Sequence, residues 1–254
     1  MMDDSELTYH QPGPADPEPV VTSLAFLREL VAAERWQDAE ETGESLLNSQ
    51  TPPAVVHSLM GIVYGKRQRV DEAIVQCRQA LALQSDDAVT LLNLGILLAR
   101  QGDMSAALEP LTKVMAVQTG WAEAHYTFGT VLLQQQRYPE AIRAFEDALD
   151  CSPTYPEAHF NRGNAHAMKG LDTDGTLDYY ELDCAINAYK AALQQRPGYT
   201  AALYNLGMLY KRMGSSEGLR VWEQYLEAAR NVPEEALWLV RAEEYKRDLQ
   251  DRLR

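Results

Sequence analysis

Five glycines constrain this chain more than any other feature. Gly61, Gly95, Gly129 and Gly163 stand 34 residues apart, and Gly207 follows after 44. Twelve residues after the first three come Ala73, Ala107 and Ala141; sixteen after come Cys77, Leu111 and Phe145; nineteen after come Ala80, Val114 and Ala148. Gly163 needs ten extra residues before Ala185, Tyr189 and Ala192 rejoin the frame. Stepping back from Gly61 by the same stride reaches Leu27, with Ala39 in register. After Gly207 the pattern drifts by about one residue, to Gly218, Trp222 and Tyr225. Self-similarity with a period of roughly 20–50 residues marks a stacked repeat architecture.

Each period holds two apolar stretches at helical spacing, for example Leu94, Leu97 and Leu98, then Ala107, Leu108, Leu111 and Val114. Turn signals such as Gln101-Gly102-Asp103 and Arg137-Tyr138-Pro139 separate them. The recurring glycine and alanine are small because two helices cross closely there. One hairpin cannot bury its apolar face alone, so the units must stack. They are expected at about 20–53, 54–87, 88–121, 122–155, 156–199 (with the insertion) and 200–233. Residues 1–19, with Pro12, Pro14, Pro17, Pro19 and several acids, read as a disordered tail. Residues 234–254 read as a capping helix with Leu237, Val240, Tyr245, Leu249 and Leu253 on one face.

The fourth unit, Phe128-Gly129…Leu132…Ala141…Phe145…Ala148…Pro153, resembles the tetratricopeptide repeat (TPR) pattern W-x2-L-G-x2-Y…A-x3-F…P, and the resemblance extends over about residues 20–233. The expected fold is all-α: a right-handed α-solenoid of about six TPR helical hairpins with a C-terminal capping helix. The resemblance also implies that the first helix of each unit lines a concave face. Unit position 6 holds Asn93, Thr127, Asn161 and Asn205; position 5 holds Leu92, Tyr126, Phe160 and Tyr204; position 9 holds Ile96, Thr130, Asn164 and Met208. The candidate peptide-binding set is therefore Asn93, Tyr126, Thr127, Phe160, Asn161, Asn164, Tyr204, Asn205 and Met208. An asparagine offers an acceptor and two donors, enough to grip a peptide unit both ways. The asparagine column is similar to the ladder in the TPR superhelix of O-linked N-acetylglucosamine transferases. The alternative is that these asparagines bridge or cap neighbouring helices. TPR modules that clamp acidic tails place lysine, arginine and asparagine where this chain has Ser58, Ile62, Val89, Glu123 and Tyr126, so a carboxylate clamp is not expected. Lys66, Arg100, Lys211 and Arg212 are expected at the groove edge, where an acidic segment such as the chain's own tail would meet them.

Charge narrows the partners. The formal net charge is -14 and the pI about 4.8, a field that repels phosphate backbones and anionic lipid. Nucleic acid and membrane surfaces are thus not expected partners. Residues 122–199 carry 11 acidic groups against 6 basic ones. Cys77, Cys151 and Cys184 form no CxxC pair, which suits reduced thiols better than disulfides or zinc. The first residues are acidic and no apolar h-region follows. The longest apolar run, Leu91 to Ala99, is about half a membrane span and contains Asn93. A soluble, cytoplasmic protein is expected.

No motif argues for catalysis. Gly214-Ser215-Ser216-Glu217-Gly218 matches G-x-S-x-G, but a nucleophile elbow needs a strand before the serine and here helices flank it. His57, His125 and His159 share one unit position, yet residues one repeat apart lie about 10 Å or more from each other, too far to share zinc. The insertion overlays the EF-hand loop through Asp172, Asp174, Thr176, Asp178 and Glu181, although Gly170 stands where the first Asp belongs. A solvated acidic loop is the expected reading and calcium the alternative. Otherwise no cofactor or metal is expected. The sequence points to a non-enzymatic adaptor or scaffold that holds an extended segment of a partner protein. The alternatives are a self-assembling homo-oligomeric scaffold, with Trp121, Trp222 and Trp238 as apolar anchors, and a non-catalytic accessory subunit of an enzyme complex.

Overall fold

A computed structural model describes residues 18–171 and 177–252. They form thirteen α-helices, and among the described residues the only β-type pairing is one bridge between Leu171 and Leu177. The helices are α1 (Glu18–Ala32), α2 (Trp36–Leu47), α3 (Ala54–Lys66), α4 (Val70–Leu83), α5 (Ala88–Gln101), α6 (Met104–Val117), α7 (Ala122–Gln134), α8 (Tyr138–Cys151), α9 (Pro156–Lys169), α10 (Tyr179–Gln195), α11 (Thr200–Met213), α12 (Glu217–Ala229) and α13 (Ala236–Arg252). Among the described residues no helix is long and apolar enough to cross a membrane. The helices gather into two compact units, one ending at Gln101 and the other beginning at Gly102.

Helix ends follow local chemistry. Asp103 caps α6 by accepting from the Ala106 N–H at 2.9 Å, and Asp178 caps α10 through the Tyr180 N–H at 3.0 Å. Pro139 and Pro156 sit in the first turns of α8 and α9, where the missing N–H costs nothing. The turn after the first helix of successive pairs passes through a left-handed residue at Glu34, Gln68, Gly102 and Gln136, again 34 apart. Only one of those four is a glycine.

In the first unit α1 packs on α2 and α3, α2 on α3, α3 on α4 and α5, and α4 on α5. A Cβ on Gly61 would come within 2.6 Å of the Cys77 Sγ, so α3 and α4 touch at the glycine. Burial pushes the Cys77 thiol up to about 12, which makes it a core residue rather than a reactive one. The buried Ser58 and Thr90 hydroxyls bond each other at 2.6 Å, and Ser58 donates to Asp87 at 3.3 Å, joining α3 to α5.

In the second unit α6 packs on α7, and α7 and α8 pack on each other and on α9. The stack continues from α9 to α10 and α11, and α12 and α13 close it on α11. The glycine contact recurs with larger partners. A Cβ on Gly129 would meet Phe145 at 2.8 Å, on Gly163 Tyr189 at 2.7 Å, and on Gly207 Trp222 at 2.8 Å. The insertion falls between α9 and α10, and α10 runs 17 residues against 14 for α8.

The last helix turns inward only part of the stripe its pattern suggested, Tyr245 and Leu249. Leu237 and Val240 are exposed, whereas Ala242 and Leu249 are buried and Leu239 and Tyr245 pack on the core. Leu253 lies outside the described residues. The fully buried Trp222 draws Tyr245 to a centroid distance of 5.6 Å, and Lys211 stands 3.7 Å from the Tyr245 ring. Those contacts rotate α13 away from the simple apolar stripe. Lys211, expected at a groove edge, is used in this cap.

Candidate functional site

The first helices of three successive hairpins in the second unit, α7, α9 and α11, carry an aromatic as their fifth residue, and α9 and α11 an asparagine as their sixth. The aromatic residues come first. Tyr126 lies 5.9 Å from Phe145 of its own hairpin and 4.9 Å from Tyr155. Phe160 repeats this with Tyr189 at 5.8 Å and Tyr199 at 5.0 Å. Tyr204 does so with Trp222 at 5.6 Å and with Trp238 of α13 at 5.2 Å. Each ring is wedged between the second helix of its hairpin and the start of the next element, at centroid distances typical of tilted and edge-on pairs. These aromatics thus hold the stack together with one side and remain half-buried on the other.

Beside them runs a row of hydrogen-bonded amides. Asn205 Nδ2 donates to Asn164 Oδ1 at 2.8 Å, and the Tyr189 hydroxyl donates to the same oxygen at 2.8 Å. Asn164 Nδ2 donates to Asn161 Oδ1 at 3.2 Å, and Asn161 Nδ2 donates to the Tyr126 hydroxyl at 3.0 Å. Burial raises the pKa of both tyrosines above the ordinary range, so each hydroxyl stays neutral and keeps its proton. The asparagines do bridge neighbouring helices. Each spends an amide proton on the row, and all three remain half-buried.

Two recesses flank Asn205. One, of about 310 Å³, is lined by Phe160, Thr200, Ala201, Tyr204, Asn205, Glu235 and Trp238. The other, of about 360 Å³, is lined by Asn164, Ala167, Met168, Leu171, Tyr189, Asn205, Met208 and Leu209. Of the nine candidate residues, Phe160, Asn164, Tyr204, Asn205 and Met208 line these recesses, and Tyr126 and Asn161 continue the amide row. Thr127 is half-buried on α7, outside both row and recesses, and Asn93 is half-buried on α5 in the first unit. Sequence reasoning missed Glu235 and offered Trp238 only as a self-assembly anchor, because both follow the last repeat and have no place in its register.

The remaining candidates are used inside the fold. His57 bonds Gln76 at 2.7 Å, His125 lies 3.9 Å from Asp147, and His159 meets the Pro153 carbonyl at 3.3 Å. Among the described residues no three His, Cys, Asp or Glu side chains gather as they would around a metal. Of the calcium-loop candidates, Asp172, Asp174 and Thr176 lie outside the described residues. Asp178 caps α10, and Glu181 is buried, bonded to His166 Nδ1 at 2.7 Å and to Lys169. Burial alone would raise the Glu181 pKa, but the Lys169 and His166 bonds and charges outweigh it and the net shift is downward. Trp222 is wholly buried and unavailable as a surface anchor; Trp238 is exposed.

Comparison with known proteins agrees with the fold. Residues 53–119 match the tetratricopeptide repeat family, and residues 129–170 match a TPR repeat family. No curated protein matches the chain. Among solved structures, MamA shares 26% identity over 67% of this chain and 94% of its own, with a TM-score of 0.61. YrrB, described as a TPR protein with an unusual peptide-binding site, shares 20% identity over 75% and 92%, with a TM-score of 0.59. The C-terminal part of a TPR repeat-containing protein from Cytophaga hutchinsonii shares 14% identity over 87% and 85%, with a TM-score of 0.71. The last two likenesses concern the fold alone.

Proposed function

For a chain whose residues 53–119 and 129–170 are tetratricopeptide repeats, we propose the role of a non-catalytic, cytoplasmic adaptor or scaffold. It holds an extended segment of a partner protein along the α7–α9–α11 face, against Tyr126, Phe160, Asn161, Asn164, Tyr204, Asn205 and Met208. Thr127 is a secondary contact on that face, and Asn93 is a candidate contact of the first unit by itself. The observation that carries this reading is the amide row from Asn205 to Tyr126. Its side chains are already oriented by one another, so little rotamer entropy is lost when a ligand arrives. YrrB, of the same fold, has a peptide-binding site by its description.

Affinity purification from cell extract with wild type and Asn161→Ala/Asn205→Ala, followed by mass spectrometry, tests the reading. The variant is expected to lose a partner while keeping its helical circular dichroism. A partner retained equally by both forms would overturn it. Self-association is the second reading, favoured by the exposed Leu237 and Val240 on α13. Light scattering that reports a single monomeric mass across a wide concentration range excludes it.

A further inference from the structure

The two recesses share one wall. Asn205 lines both, with Phe160, Tyr204 and Trp238 on one side and Met168, Leu171 and Met208 on the other. Both volumes fall at the lower end of ligand-sized pockets, roughly 300–1,000 Å³. A wall one side chain thick suits an extended chain, in which residues i and i+2 point the same way about 6.6 Å apart. The first recess is rigid and aromatic. The second contains two flexible thioethers, which accommodate varied aliphatic shapes.

The polar groups suit a peptide backbone crossing the wall. Asn205 stands between the anchors. Thr200 and Ala201 open α11 and line the first recess, and the preceding residue Tyr199 provides no side-chain cap for the first turn. Charge then distinguishes the flank. Glu235 lines the aromatic recess, held there by the Tyr225 hydroxyl at 2.7 Å. Arg241 stacks on Trp238 at 5.2 Å but does not line the recess.

We infer that the α9–α11–α13 face reads a basic, extended peptide with two apolar anchors at i and i+2. An aromatic or large aliphatic residue enters between Phe160, Tyr204 and Trp238, an aliphatic residue enters beside Met208, and a lysine or arginine next to the first anchor meets Glu235. This rests on the peptide-holding role proposed above and names the class of segment held.

The test uses the full chain and fluorescent decapeptides of Gly-Ser background carrying Phe and Leu at spacings i+1, i+2 or i+3, with Lys or Gln beside the Phe. Binding is read by anisotropy, and the site by NMR shifts of the Trp238 indole and the Asn205 amide. The i+2 lysine peptide is expected to bind at least tenfold tighter than the other spacings and several-fold tighter than its glutamine form. Met208→Ala and Trp238→Ala should each abolish the spacing preference. Glu235→Gln should abolish the lysine preference alone. Equal affinity for all spacings, with shifts along Asn161 to Asn205, overturns this inference and leaves the adaptor reading standing. If no peptide shifts any resonance on α9 or α11, both fall.

Discussion

Gly207 and Trp222 are in direct contact across the last hairpin: a Cβ on the glycine would stand 2.8 Å from Cε2 and Cζ2 of the indole. The indole has nowhere to go, because it is fully buried among Tyr204, Tyr225 and Tyr245. Gly207→Ala should therefore destabilise the protein by about 1–3 kcal/mol, despite the better helix propensity of alanine. Gly198→Ala is the control, since nothing lies within 4 Å of a Cβ there. Urea unfolding should separate the two; similar midpoints would contradict the contact.

Gln136 closes α7 with a φ of 60°, a conformation that glycine adopts freely and other residues do not. Gln136→Gly should raise stability by up to about 1 kcal/mol, because the relief of strain exceeds the gain in unfolded-chain entropy. Gly102→Ala, at φ 96°, should lower it by about 1 kcal/mol or more. Thermal melts of the two variants should move in opposite directions.

Glu181, His166 and Lys169 make the stability pH-dependent in acid. The folded pKa of Glu181 is depressed, so its contribution is full above the unfolded glutamate value of about 4.3. It is lost as pH falls from there through the depressed folded value. Glu181→Gln should cost about 1–3 kcal/mol at pH 7 and should flatten the stability profile below about pH 4.3. Denaturant midpoints measured from pH 7 to pH 3 give the comparison. An unchanged slope would show that other carboxylates dominate.

Asn164 accepts from both Asn205 and the Tyr189 hydroxyl. Asn164→Ala leaves the half-buried Asn205 amide and the hydroxyl of the buried Tyr189 without their acceptor and should cost about 1–3 kcal/mol. It should also weaken partner binding more than Thr127→Ala, which touches neither the row nor the recesses. Equal losses in the two variants would argue that the row has no special part in binding.

Helix pairing was legible in the sequence because the contacts that specify it are close in the chain. Gly129 meets Phe145 and Gly163 meets Tyr189 within one hairpin, so a small residue and its large partner recur 16 residues apart, or 26 across the insertion. Even the one-residue drift of the last unit, with Trp222 instead of residue 223 against Gly207, left a readable trace. The left-handed turns at Gln68 and Gln136 left none, since glutamine carries no preference for that conformation and the surrounding helices impose it.

What the chain's sequence determined by itself was therefore the local layer: paired helices, their stride, and which residues occupy corresponding positions. Tertiary structure decided what those positions do. Asn205 bonds Asn164 across 41 residues, and Tyr204 meets Trp238 from beyond the last repeat. Such contacts depend on the rotation and separation of stacked helices, which arise from the packing of many side chains at once. The same packing left Leu237 and Val240 of α13 outward while Tyr245 and Leu249 of that helix turned inward, because Tyr245 packs on the buried Trp222 indole.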